Sequence, residues 1–127
     1  MHNEITTRSA TIRMINEWVI ENVIHDNAEL DVEDIMEIKR INGEISAGRC
    51  YTVLVDSGSF TSITDEGRKL SASKDFQQQT IAKAILVNSL SQRIIGKLYM
   101  RFNKPMITTK IFSDRERALE WLNSISN

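Results

Sequence analysis

Setting aside carboxylates and lysines, His2, His25 and Cys50 are the residues able to act as base, strong nucleophile or soft metal ligand. His2 belongs to the terminus, read as flexible. His25 has Asp26 and Glu29 beside it, a spacing able to close on a metal, but a solitary loop histidine is ordinarily solvated, and no metal is expected. Cys50 adjoins an apolar run with no histidine placed to activate it, so its expected role is a small apolar residue in the core or at a strand edge. Hydroxyls gather where Ser57, Ser59, Thr61, Ser62 and Thr64 surround Gly58 and precede Gly67. These glycines form neither the G-x-S-x-G elbow of a hydrolase nor the G-x-x-x-x-G-K-S/T cradle of a nucleotide site. No catalytic residue and no cofactor are expected. Arg93, Lys97 and Arg101 recur at intervals of four, with Lys104 and Lys110 beyond, beside an apolar series. Such a stripe is either a solvated helix face or a contact for an acidic partner or anionic headgroups.

Hydrophobic periodicity indicates the scaffold that positions these groups. Ala10, Ile12 and Met14 alternate with Thr11, Arg13 and Ile15 as in a half-buried strand, Asn16 and Glu17 make a turn, and Trp18 begins the return. Residues 5–24 thus read as a β-hairpin, followed by a polar loop over 25–30. Asp31 can cap a first helix carrying Val32, Ile35, Met36, Ile38, Ile41 and Ile45 on one arc, with Glu33, Glu37, Arg40 and Glu44 opposite and Gly48 as terminator. The β-branched run 51–55 reads as a central strand covered on both faces. A polar loop over 56–63 leads to Thr64 as cap of a second helix, expected to run to about Phe76. Residues 81–87 read as a strand, and Ser89 with Gln92 as a capping box for a third helix. That helix is expected to turn Ile94, Ile95, Leu98, Tyr99 and Phe102 to the core and to stop at Lys104-Pro105. A strand over 107–112, a capping box from Ser113 to Glu116 and a fourth helix burying Ala118, Trp121, Leu122 and Ile125 close the order. Trp18, Tyr99 and Trp121 are read as core or strand-edge aromatics. The class is α/β: an N-terminal hairpin, a helix, then three strand-helix units in a mixed sheet with packed helices.

With 127 residues and 41% hydrophobic composition, one compact domain over 1–127 is expected. Sixteen basic residues against seventeen acidic ones give a net charge of −1, so the positive field of a non-specific nucleic-acid binder is missing and no nucleic-acid partner is expected. A single cysteine excludes an internal disulfide framework and suits a reducing compartment, making cytoplasmic the expected location. The first residues show no charged-then-apolar leader, and the apolar runs are too short to cross a bilayer. A soluble protein that does not span a membrane is expected.

Strand, strand, helix and three strand-helix units resemble the STAS fold, named for sulfate transporters and anti-sigma-factor antagonists, over roughly residues 5–125. The run from Ser91 to Pro105, with Lys110-Ile111-Phe112 and Ala118-Leu119-Glu120-Trp121-Leu122 after it, is similar to uncharacterised bacterial STAS-like proteins grouped loosely with the CRAL-TRIO lipid-transfer fold. That resemblance implies a binding or regulatory module and no catalyst. In the phosphorylatable antagonists the second helix opens with an Asp-Ser-Ser/Thr-Gly-like motif. Aligning Gly67 with the motif glycine puts Glu66 at the phosphorylatable position, so phosphorylation at that position is excluded here. Control through Ser62 or Thr64 depends on the loop register.

Three function classes follow. The first is a non-enzymatic STAS-like recognition or regulatory module for a protein partner, using residues 57–67 and, on the third helix, Arg93 and Lys97. Residues 57–67 would lie at the carboxyl end of the central strand, where open α/β sheets commonly bind, although an ordinary turn reads the same way. The second is a carrier or sensor of a small apolar ligand or lipid, which requires a cavity among Ile94, Leu98, Phe102 and their neighbours. An enzyme is third, needing convergent carboxylates in a pocket. A homo-oligomer is compatible with each.

Overall fold

The structure, a computed structural model, describes residues 4–74, 76 and 78–125. His2 lies outside them. The chain opens with three antiparallel strands, β1 (Glu4–Thr6), β2 (Ala10–Met14) and β3 (Val19–Ile24), so the expected hairpin has an additional edge strand. Each turn is closed by a side chain: Thr7 Oγ1 accepts from the Ser9 and Ala10 amides, and Asn16 Oδ1 from those of Trp18 and Val19. The segment read as loop before the first helix contains a two-residue strand, β4 (Glu29–Leu30), too short to carry a periodicity signal.

Helix α1 (Val32–Ile45) begins at Asp31 with a reciprocal capping box to Asp34. Arg8 clamps both Asp34 carboxylate oxygens at 2.6 Å, tying the first turn of strands to the start of the helix. Hydrogen bonds to the Val32 amide and the Thr64 hydroxyl hold the Asp31 carboxyl below its ordinary range. The helix unwinds through Ala47 and Gly48 at positive φ. Met36, placed on the apolar arc by periodicity, is 59% exposed.

Strand β5 (Tyr51–Asp56) is central, flanked in parallel by β3 and by β7 (Thr80–Leu86), and β8 (Thr108–Phe112) adds in parallel to β7. The six-stranded order is β1-β2-β3-β5-β7-β8. Between β5 and β7 lie the short β6 (Ser62–Ile63), paired with β4, and helix α2 (Asp65–Ser71), capped by Thr64. The expected extension of α2 to Phe76 does not form. Ser71 and Ser73 hydroxyls donate to the carbonyls of Arg68 and Leu70, and Ser73 Oγ then accepts the Phe76 amide, which replaces helix with turn.

Helix α3 (Leu90–Phe102) starts at Ser89, whose hydroxyl accepts the Gln92 amide. The Gln92 side chain bonds the Asn88 amide and the Gly58 carbonyl instead of closing the expected box on Ser89. Helix α4 (Arg115–Ser124) is capped by Asp114, one residue later than expected. Helix α4 packs Ala118 and Leu122 against Val19, Leu54, Ala82, Ala84 and Leu86 on one sheet face. Trp121 is only half-buried, beside Phe112 at 5.6 Å between ring centres.

On the other face α1 packs against Ile12, Ile20 and Val53. The orientation of α3 corrects the sequence reading. Gly96 and Tyr99 are its buried residues, whereas Ile94, Ile95, Leu98 and Phe102 are 51, 47, 47 and 71% exposed. Gly96 explains the seat: a Cβ there would stand 3.0 Å from Ile111 Cδ1, so the helix meets the sheet through its glycine. Cys50 is exposed immediately before β5 and takes no part in the core. Among the described residues, no helix is long and apolar enough to cross a membrane.

Candidate ligand cavity

Because α3 touches the sheet near β8, the space between the sheet and the three helices is incompletely filled. A cavity of about 180 Å³ remains. Its floor is Asn22 and Ile24 from β3, Val53 and Val55 from β5, and Lys83 and Ile85 from β7. Ile35, Ile38 and Lys39 of α1 line it from above, with Ser71 at the end of α2 and Ile95 and Tyr99 of α3. An apolar void of about 150 Å³ holds a benzene-sized guest, so this one is large enough for a small organic molecule.

The polar groups in its wall fall into two sets. Asn22 and Asn42 exchange Nδ2–H···Oδ1 bonds at 2.8 and 3.1 Å, and the Ser71 hydroxyl donates to Tyr99 Oη at 3.2 Å. These groups satisfy one another within the chain. Lys39 Nζ donates to the Gln78 carbonyl, to Tyr51 Oη at 3.1 Å and to Thr80 Oγ1 at 3.3 Å, all neutral acceptors. Burial pushes its ammonium down to about 8. Lys83 is 8% exposed, and its Nζ stands 5.8 Å from the Phe76 ring centre. Among the described residues no acceptor or carboxylate reaches it. Burial first and the Lys39 charge second push its ammonium down to about 8. Burial likewise raises the Tyr51 and Tyr99 hydroxyls, leaving both as neutral phenols. Arg68, the third cation on the wall, is paired with Asp65. The wall contains no carboxylate among the described residues.

The residues singled out in the sequence divide around this cavity. Ser57 and Ser62 lie on its rim with Thr61 and Gln92. Ser59 is exposed, its amide held by Asp26 Oδ1. The loop lies close against β3 because Gly58 has no side chain: a Cβ there would sit 2.4 Å from the Ile24 carbonyl oxygen. The Thr64 hydroxyl is occupied, accepting from the Gly67 amide at 3.0 Å and donating to Asp31 Oδ1 at 2.9 Å. Glu66 is exposed on α2, and Arg93 and Lys97 lie on α3, all three away from the cavity wall. His25 packs against the opening strands: its Nδ1 donates to the Arg8 carbonyl at 3.2 Å, and its Nε2 lies 2.9 Å from the Thr11 hydroxyl. Among the described residues no three His, Cys, Asp or Glu side chains converge as metal ligands. Lys83, Lys39, Asn22 and Asn42 were not singled out in the sequence, although a lysine amid Ile81, Ala82, Ala84 and Ile85 is an anomaly in a buried parallel strand.

A mixed six-stranded sheet with three helices on one face and one on the other is a STAS-like fold. The chain belongs to the family described as a domain of unknown function, DUF7793, whose sequence profile matches residues 13–126. Among solved structures it is similar to an uncharacterised protein of the DUF3478 family from Shewanella loihica PV-4, described as having a SpoIIAA-like fold. The match has a TM-score of 0.56 and 16% identity, and covers 96% of this chain and 92% of that one. No curated protein matched in sequence.

Proposed function

We propose that this chain is a non-enzymatic, STAS-like binding module that carries or senses a small apolar or amphipathic molecule held between the sheet and helices α1, α2 and α3. The observation supporting this reading is the cavity, about 180 Å³ in extent, whose wall combines Ile, Val and Leu side chains with a smaller set of polar and charged groups such as Asn22, Lys39 and Lys83. It lies under Ile95 and Tyr99, and not among Ile94, Leu98 and Phe102, where the sequence periodicity had put a possible pocket. Protein purified without detergent, then denatured and extracted, should release a stoichiometric small molecule, and Val55→Phe, which fills the void, should release none while keeping its fold. Parent protein that carries nothing and binds no apolar probe such as 1-octanol at millimolar concentration would sink the reading.

A second reading, recognition of a protein partner, is favoured by a different surface. Leu90, Ile94, Leu98 and Phe102 are exposed on α3 beside Lys97 and Arg101, and the helix has no acidic residue. An apolar patch with a basic border suits a partner presenting an apolar patch with an acidic border. The exposed Glu66 on α2 would stand as a fixed charge, not as a regulated one. Cross-links from a co-purified partner should then fall on Lys97 and Lys104; cross-links confined to the α4 side would reject α3 as the docking face.

A further inference from the structure

Lys83 projects from the middle of β7 into the cavity, 8% exposed, with no hydrogen-bond acceptor or carboxylate reaching it among the described residues. Lys39 approaches from α1 and spends its donors on neutral oxygens. The Lys83 ammonium opens onto the cavity, largely withdrawn from bulk water and with no opposite charge beside it among the described residues, an arrangement that a bound anion would compensate. The cavity wall around it carries Lys39 of α1, Arg68 of α2, Tyr99 of α3 and also Phe76, with Thr109 beside it in register on β8 and Tyr51 of β5 reached through Lys39; they include no carboxylate, and the one guanidinium is already paired.

We infer that the cavity binds an aliphatic monocarboxylate, its head on Lys83 beside Lys39 and its chain lying along the sheet toward Ile85 and Val87. This deepens the proposed ligand-binding reading and rests on it. Three features select the class. The uncompensated charge on the wall is positive, so the head is anionic. The walls beyond the lysines are apolar, and burying one carboxylate charge there is less unfavourable than burying a phosphate dianion. Finally, Lys83 and Val87 both line the cavity, and four residues of strand span about 13 Å, so the wall reaches far enough from Lys83 for a chain of medium length.

The test is isothermal titration with octanoate, 1-octanol, octylammonium and octyl phosphate against the full chain at pH 7. Octanoate should bind at least tenfold more tightly than 1-octanol, and octylammonium should not bind measurably. Lys83→Met should bring octanoate to within twofold of 1-octanol while leaving 1-octanol binding intact, and Lys39→Met should have a smaller effect. In the parent, the preference for octanoate should decline between pH 7 and 9.5 as the two ammonium groups lose their protons; this readout needs no variant. Equal binding of octanoate and 1-octanol at pH 7, or an unchanged preference in Lys83→Met, would overturn the inference and leave the ligand-binding reading standing. Tighter binding of octyl phosphate would overturn the carboxylate as the head. Failure of every probe, 1-octanol included, would take the ligand-binding reading with it.

Discussion

Under α4, the side chains of Val19, Leu54, Ala82, Ala84, Leu86, Ala118 and Leu122 are each 5% exposed or less, and the helix descends onto alanines. On the opposite face the same strands present Asn22, Val53, Lys83 and Ile85 to the cavity. Buried charge follows the same division. Glu21, on the α4 face and 1% exposed, is held by Arg13 at 2.7 Å and by Arg115. Burial pushes its carboxyl up, yet the two guanidiniums together bring it below the ordinary value, and the ion pair in turn raises Arg115. Lys83, on the cavity face, has no such partner among the described residues. One face matches its buried charge within the chain, and the other leaves a cation for something outside the chain to match. The first is organised for stability and the second for binding.

The largest effect should come from opening the closed face. Leu122 is fully buried, so Leu122→Ala should lower stability by about 2 to 5 kcal/mol in denaturant unfolding. A loss below about 1 kcal/mol would mean that the α4 face already tolerates a void, and the contrast between the faces would fail.

The second effect has the opposite sign. Lys83 falls from 10.5 to about 8 on folding, so the folded chain gives up its proton more readily than the unfolded one. Stability is therefore depressed throughout the range below about pH 8 and recovers as pH rises from there toward 10.5. At 1.36 kcal/mol per pH unit the penalty at neutral pH is up to about 3 kcal/mol. Lys83→Met should remove it, leaving a ligand-free protein more stable than the parent at pH 7, with the difference closing near pH 10.5. A destabilised Lys83→Met protein at pH 7 would show that the ammonium is compensated after all.

Much of this arrangement is legible in residue patterns, with a clear physical limit. Asp31 before Val32, the β-branched run 51–55 and the alternation around Ile12 each predict an element that forms, because caps and periodicity act locally. Strands of two residues such as β4 and β6 contain no full period and leave no trace. Periodicity in α3 shows that Ile94, Leu98 and Phe102 share a side, but the direction that side faces is decided by Gly96 fitting against Ile111, a tertiary contact. The rim serines were found as a polar loop. The cavity behind them has no local signature, because its wall is assembled from β3, β5, β7, α1, α2 and α3 together. Lys83 was the available signal, a charge where both neighbours and next neighbours are apolar.

The smallest predicted effect tests that orientation most directly. If α3 turned its apolar series inward, Phe102 would be a core aromatic and its loss would cost about 3 to 5 kcal/mol. Instead it is 71% exposed, so Phe102→Ser should change stability by no more than about 0.5 kcal/mol. Tyr99, 8% exposed with its hydroxyl on Ser71, supplies the internal control on the same helix. Tyr99→Ser should be markedly more destabilising, since it removes a buried ring from the cavity wall. A Phe102→Ser protein losing more than about 2 kcal/mol, with Tyr99→Ser nearly neutral, would rotate the helix by half a turn. The apolar series would then fill the space between helix and sheet, Lys83 would lose the volume that a ligand needs, and both faces of the sheet would be closed.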